Sequence, residues 1–198
     1  MHHGRGSLAR NRSIHLIIIA FAGLPGTGKS TLARAVAARL DAVVLDKDRV
    51  REALFGGRVD YSRGQNDLAT RAMFRDVEAL AAAAVQYAVL DGRTFSKRYQ
   101  VDELRDLGRD LGAQVVLVEC TCSDDVARRR IESDALAGSH PARNRTPDLH
   151  EKLRLEAEPI TGEKLIVHTD EEGLDAAVER VVELVQRRDV RNSLATES

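Results

Sequence analysis

The sequence predicts a three-layer α/β domain: a parallel five-stranded sheet with helices on both faces and an arginine-bearing lid. Three observations predict it. The chain has 198 residues, 43% hydrophobic and 31% charged, an ordinary globular mixture long enough to bury roughly 70% of its unfolded surface without a disulfide or metal staple. Apolar runs alternate with helix-patterned segments almost throughout, the arrangement of a parallel sheet with crossover helices. A Gly-rich turn follows the first apolar run and opens the first helix, which fits a buried strand feeding a phosphate-binding turn.

The elements follow in order. Residues 1–13, beginning MHHGRGS, are set aside as a disordered leader or tag remnant, and a single domain is expected over 14–190. Ile14–Ala22 reads as the first strand and Lys29–Leu40 as the first helix. Ala42–Leu45 is a short second strand and Lys47–Leu54 a short helix; FGGRVDYSRG, residues 55–64, then reads as a mobile loop because it combines paired glycines with charges. An Ala-rich helix over 65–86, a third strand over 87–91, a helix over 97–111, a fourth strand over 114–119 and a helix over 124–136 continue the alternation. The segment 137–148, AGSHPARNRTPD, is polar and basic with two prolines, the composition of a lid. A helical stretch to about residue 158, a fifth strand over 164–168 and an amphipathic helix over 173–188 close the domain, with 191–198 expected to fray.

Composition excludes several classes. Lys and Arg number 30 against 31 Asp and Glu, which argues against a strongly basic nucleic-acid binder. Three Tyr, four Phe and no Trp leave little for base-stacking platforms. No run reaches the ~20 apolar residues of a membrane helix. Cys120 and Cys122 share one face of a strand in VLVECTC, a geometry for neither a disulfide nor a four-ligand zinc site; they read as reduced thiols of a cytoplasmic protein. The oligomeric state is left open, a homo-oligomer included.

The motif that sets the class is Gly23-Leu24-Pro25-Gly26-Thr27-Gly28-Lys29-Ser30, followed by Thr31. It fits G-x-x-x-x-G-K-[ST] at every fixed position, straight after a buried strand. Glycines let consecutive backbone N–H groups curl around a phosphate, and the helix N-terminus adds its positive end. Lys29 suits the β- and γ-phosphates of ATP, and the Ser30 hydroxyl suits Mg²⁺. The dinucleotide fingerprint G-x-G-x-x-G fails after Gly28, and no N-K-x-D tetrapeptide reads guanine. The motif marks a nucleoside triphosphate site and the P-loop NTPase fold. Alone it does not separate kinases, GTPase switches and mechanical ATPases; the nucleoside-kinase-like form of that fold is what the resemblance given below implies.

Three further features surround that loop in sequence. Leu45-Asp46-Lys47-Asp48-Arg49-Val50-Arg51 places a carboxylate at the sheet edge where ligands bind, with Arg51 three residues beyond Asp48 on the same helix face. A helix N-cap with a solvated face would give the same spacing. Val89-Leu90-Asp91-Gly92-Arg93 ends a strand in an acid that could hold Mg²⁺ through water, with Arg93 and Arg98 nearby. Arg128-Arg129-Arg130 lies on a helix before the lid, which carries Arg143 and Arg145; at most one or two of the three consecutive arginines can face a site.

Together these residues resemble a group of small P-loop kinases that phosphorylate hydroxyls: polynucleotide 5′-kinases, zeta-toxin-like kinases, chloramphenicol phosphotransferase and adenylyl-sulfate kinase. The resemblance covers about residues 15–160 and rests on GLPGTGKST, Asp48-x-x-Arg51, VLDGRTFSKR, CSDDVARRRIES and the lid before LRLEAEPI. It implies Asp48 as general base, Arg51 as an acceptor contact, Asp46 close by in a supporting role in the acceptor site and Arg129 as the lid arginine near the phosphates. Arg93 is expected to orient the acceptor beside Arg51, a solvated side chain being the other reading of its position. Lys47 stands where adenylyl-sulfate kinases have glycine, and Ser133 where the group has a second lid arginine; Arg130, Arg143 and Arg145 are the candidates to complete the lid. The implied activity is ATP- and Mg²⁺-dependent phosphorylation of a small-molecule hydroxyl. A polynucleotide 5′-hydroxyl kinase and a non-catalytic ATP-binding regulator are the alternatives.

Overall fold

In a computed structural model, residues 15–137 and 146–195 are described. Strands β1 (Ile17–Ala22), β2 (Val43–Asp46), β3 (Tyr87–Asp91), β4 (Gln114–Thr121) and β5 (Leu165–His168) form one five-stranded sheet in the order β2-β3-β1-β4-β5. All four pairings are parallel. The α-helices among the described residues are α1 (Lys29–Leu40), α2 (Lys47–Phe55), α3 (Arg63–Ala82), α4 (Arg98–Asp110), α5 (Asp124–Ala137), α6 (Pro147–Glu156) and α7 (Leu174–Ala195).

The centre of the sheet is β1, IIIAFA, with every residue buried. Successive side chains point to opposite faces of a strand. Ile17, Ile19 and Phe21 accordingly pack with Leu32 and Val36 of α1 and Val181 and Val185 of α7. Ile18, Ala20 and Ala22 pack with Met73 and Val77 of α3 and Val101 and Leu104 of α4. Each large side chain so buried contributes about 1.5–3 kcal/mol. The unbroken apolar run is thus a strand covered on both faces.

Chain order places the ligand crevice. From β1 the chain goes outward to β2, returns to β3 beside β1, then crosses to β4 on the other flank. In such sheets ligands bind beyond the carboxyl ends of the strands where the order reverses, here at the ends of β1 and β3. The register sets Asp46 beside Asp91 at that edge.

Three segments differ from the sequence expectation. The 55–64 loop is tied down: residues 56–58 form a 3₁₀ turn, and the Gln65 side chain clamps Asp60 N (2.9 Å) and Arg58 O (2.9 Å). Helix α3 starts at Arg63 because Ser62 caps it, accepting from Gln65 N. Helix α7 runs to Ala195 rather than stopping near 188; VQRRDVRNSLA has no Gly or Pro to end it. Of the expected lid, 138–145 with Arg143 and Arg145 lies outside the described residues, as does 1–14, while Pro147 and Asp148 open α6.

Candidate active site

Residues 23–31 connect β1 to α1. Gly23, Gly26 and Gly28 all have positive φ, at 140°, 82° and 77°, which L side chains rarely adopt. A Cβ at Gly26 would lie 2.5 Å from the Ala127 carbonyl oxygen, and one at Gly23 2.5 Å from that of Cys120. The loop is therefore pressed against β4 and α5 from behind, with its concave side left to a ligand. No side chain caps α1, so no side-chain oxygen competes with an anion for the positive end of the helix. Lys29 is buried, its Nζ donating to Leu24 O at 3.2 Å.

Ser30 Oγ donates to Asp91 Oδ1 at 3.0 Å, and the same oxygen accepts from Gly92 N at 2.7 Å. Asp91 is 2% exposed. Sequence separates these two residues by 61 positions, and the sheet brings them together at the crevice. A hydroxyl and a carboxylate beside a phosphate cradle are hard oxygen donors of the kind that hold Mg²⁺ with phosphate oxygens and water. Among the described residues no group of three or more His, Cys, Asp or Glu could hold a metal by itself, so a cation there would depend on the nucleotide. The loop, Lys29, Ser30 and Asp91 fit Mg²⁺-ATP.

Two clefts meet at Lys29. One, of about 440 Å³, includes Gly28, Lys29, Ser30, Thr31, Arg130 and Thr169. The other, of about 600 Å³, includes Lys29, Asp48, Arg51, Asn66, Arg93 and Lys152. Asp48 and Arg51 pair across one helical turn. Arg51 Nη2 donates to Asn66 Oδ1 at 2.5 Å, and its guanidinium lies 5.2 Å over the Tyr61 ring. Arg93 donates to Glu103 Oε2 at 2.5 Å and sits 5.7 Å and 5.4 Å from the Phe74 and Phe95 rings. Both arginines are under 5% exposed. Lys47 also lines this cleft; burial, then the charges of Arg51, Arg93 and Lys29, push its ammonium from the usual 10.5 down to about 8, against the pull of Asp48.

Asp46, the expected supporting residue of the acceptor site, stands at the turn into α2. Its Oδ1 accepts from Asp48 N (2.9 Å) and Arg49 N (3.4 Å), making it the N-cap of α2. It supports the site by fixing the turn that carries Asp48. Arg129, the expected lid arginine, is exposed on α5 and lines neither cleft. Arg130 is the one that reaches the loop: Nη1 donates to Thr169 Oγ1 (2.9 Å) and Gly26 O (3.4 Å), and Nη2 to Thr169 O (2.9 Å). Arg128 pairs with Glu151 of α6 at 3.0 Å.

Sequence reading missed three participants. Thr169 donates to Thr27 O at 2.9 Å, tying the end of β5 to the loop. Asn66 orients Arg51, and donates in turn to Tyr61 O at 2.9 Å. His150 of α6 is 3% exposed; its Nδ1 donates to Pro25 O at 2.8 Å while Nε2 faces Asp124 Oδ1 at 3.4 Å. Helical phase singles out Arg130 among the candidate lid arginines: Ala127, Arg130, Ile131 and Asp134 follow i, i+3, i+4, i+7 and so share a helix face, and Ala127 and Ile131 are the buried residues of α5.

Comparison with known proteins agrees with this architecture. A family model described as AAA domain matches residues 18–153. A protein of Chloroflexus aurantiacus j-10-fl, provisionally named a kinase, is 25% identical in a structural match covering 86% of this chain and 98% of that one, with a TM-score of 0.67. The Mycobacterium tuberculosis APS kinase CysC, solved with AMPPNP and APS, matches over 87% of this chain and 98% of its own at 21% identity and a TM-score of 0.65, a likeness of fold. A shikimate kinase of Paracidovorax citrulli (strain AAC00-1) is 47% identical over 66 residues, 33% of this chain and only 32% of that relative's length. With residues 18–153 covered by its model, the chain belongs to the AAA domain family and is built on the fold of the P-loop kinases.

Proposed function

We propose that the protein is an ATP-dependent kinase that transfers the γ-phosphoryl group to a hydroxyl of a small-molecule acceptor. One observation carries this reading: Lys29 lines both clefts, so the phosphate cradle and the Asp48–Arg51 pair share one wall. The loop amides and Lys29 hold the β- and γ-phosphates. Ser30 and, through water, Asp91 would hold Mg²⁺, which would supply charge neutralisation on the phosphate oxygens. Asp48 accepts the acceptor's hydroxyl proton as that oxygen bonds to the γ-phosphorus and the bond to the β–γ bridging oxygen breaks, releasing ADP. Arg51 fixes the direction of the Asp48 carboxylate, and Arg93 orients the acceptor. Arg130 holds the loop against the β5–α7 turn, and Arg129, on the outer face of the same helix, is left as a lid residue that would act only on closure.

The same proposal includes a cytoplasmic setting, supplied with ATP and Mg²⁺, in which the two free thiols stay reduced. None of the described helices is long and apolar enough to cross a membrane. The test is phosphorus NMR of the protein with Mg²⁺-ATP and a panel of hydroxyl acceptors. A phosphomonoester resonance should appear with wild type and form about 10²-fold or more slowly with Asp48→Asn. Equal turnover in the variant removes Asp48 from this role. ATP left intact with every acceptor contradicts the kinase reading.

A further inference from the structure

Most cations around the two clefts are already engaged. Lys29 is assigned to the phosphates. Arg130 is taken up by Gly26 O and Thr169, and Arg129 lines neither cleft. Arg51 is paired with Asp48 and Arg93 with Glu103. Lys47, the first residue of α2, differs from all of these: its ammonium makes no hydrogen bond or ion pair among the described residues. Its place is nonetheless fixed. Gly92, at φ 85°, passes so close that a Cβ there would lie 3.1 Å from both the Cβ and the backbone N of Lys47. Gly92 follows Asp91, the carboxylate bonded to Ser30, so the stem of Lys47 starts beside the strand end that faces the nucleotide. Lys47 lines the acceptor cleft together with Lys29 and Asp48, and does not line the nucleotide cleft.

We propose that Lys47 is a further catalytic residue, its ammonium donating to the γ-phosphoryl oxygens of ATP from the acceptor side while Lys29 holds them from the loop. The inference rests on the kinase reading for the transfer and on the placement of Lys47 for the contact. In the step the acceptor oxygen bonds to the γ-phosphorus, the bond to the β–γ bridging oxygen breaks, the hydroxyl proton goes to Asp48, and Lys47 keeps all its protons. What it answers is the negative charge spread over the equatorial oxygens of the moving group. A four-carbon stem lets an ammonium follow that group from donor to acceptor, which a guanidinium fixed by a carboxylate and aromatic rings cannot do. The protein on its own gives Lys47 a poor environment: burial and the charges of Arg51, Arg93 and Lys29 lower its ammonium to about 8. A cation held where the fold disfavours it is a mark of a functional position, and the phosphate oxygens of ATP would supply the missing negative partner.

The test reads the γ-phosphate apart from any acceptor. Calorimetry compares Mg²⁺-ADP with Mg²⁺-AMPPNP on wild type, Lys47→Met and Lys47→Gln, beside phosphoryl transfer from ATP to the hydroxyl panel followed by phosphorus NMR. Both variants should bind ADP within about twofold of wild type and AMPPNP about tenfold more weakly, the share of one charge-assisted hydrogen bond. Transfer should slow about 10²-fold, because the contact strengthens as charge develops on the moving group. A lowered ammonium disfavours the fold while it is charged, so near pH 7 neither variant should melt below wild type, and the melt certifies that each is folded. ADP and AMPPNP weakened alike, or neither weakened, would overturn the contact and leave the kinase standing wherever wild type still transfers. AMPPNP alone weakened, with transfer unchanged, would overturn the catalytic role. AMPPNP alone weakened, with no transfer by wild type to any acceptor, would keep Lys47 on the γ-phosphate and overturn the kinase reading.

Discussion

Replacing Asp48 by Asn tests the site in a way that turnover alone does not. The Asp48 side chain is 10% exposed and that of Arg51 4%, so the two charges face each other largely out of water. Removing one partner of a buried pair leaves the other uncompensated, a loss of about 3–5 kcal/mol. Asparagine keeps one acceptor oxygen toward Arg51, and Asn66 still binds Nη2, which puts the expected loss near the lower end, about 3 kcal/mol. For a domain of this size each kcal/mol moves the melting point by about 2–4 °C, so Asp48→Asn should melt roughly 6–12 °C below wild type. Adding Arg51→Met removes the stranded cation. The double variant should therefore lose less than the sum of the singles, with a coupling of about 1–3 kcal/mol. Urea denaturation with unchanged m-values gives the four corners of that cycle, and kcat is read well below the melting onset so that stability and chemistry separate. An Asp48→Asn protein melting within about 1 °C of wild type, or additive singles, would refute a buried structural pair and place Asp48 free in the cleft.

Further outcomes follow from the same geometry. Lys47 has a folded value of about 8 against a usual 10.5, so the unfolded chain binds the extra proton between those values. Stability should therefore rise with pH across about 8 to 10.5, by at most about 1.4 kcal/mol per pH unit, and Lys47→Met should flatten that rise in melts taken at stepped pH. Gly26→Ala forces a Cβ to 2.5 Å from the Ala127 carbonyl oxygen at φ 82°; calorimetry should show Mg²⁺-ATP binding weakened more than tenfold, and near-native affinity would mean the loop gives way cheaply. Arg130→Met removes three hydrogen bonds to the loop and the β5–α7 turn, which should raise the KM for ATP about tenfold, since bonds to charged groups contribute about 1.5–3 kcal/mol each before compensation. Arg129→Met should change that KM far less, and the reverse ranking would restore Arg129 to the phosphates.

What sequence reveals here depends on how local the information is. The phosphate loop is legible because nine consecutive residues carry it and each glycine has a steric reason. Asp48 and Arg51 are legible because one helical turn relates them. Asp46 was ambiguous from spacing: an acid before a helix can cap it or face a substrate, and only the hydrogen bonds to Asp48 N and Arg49 N decide for the cap. Arg93 as a fixed, buried donor was not legible, since Phe74, Phe95 and Glu103 come from three different segments to hold it. Nor was the tie from His150 to the Pro25 carbonyl, which joins residues 125 positions apart. The arginine triplet shows the middle case, where helical phase from Ala127 and Ile131 singles out Arg130 once the buried face is known.

The strand order has a consequence for how such a protein can change. Most of what would grip the nucleotide hangs from β1, β4 and β5, with Asp91 added from the end of β3, while Asp48, Arg51 and Asn66 hang from β2 and the helices beside it at the opposite edge. The two clefts adjoin at Lys29. Substitutions along the β2 edge can therefore remodel the acceptor cleft while the nucleotide half keeps its packing, and an edge strand of four residues is the least disruptive place in a sheet to experiment. The molecule is in effect a fixed engine with an exchangeable chuck, and libraries seeking a new acceptor belong in residues 47–70, not around the loop.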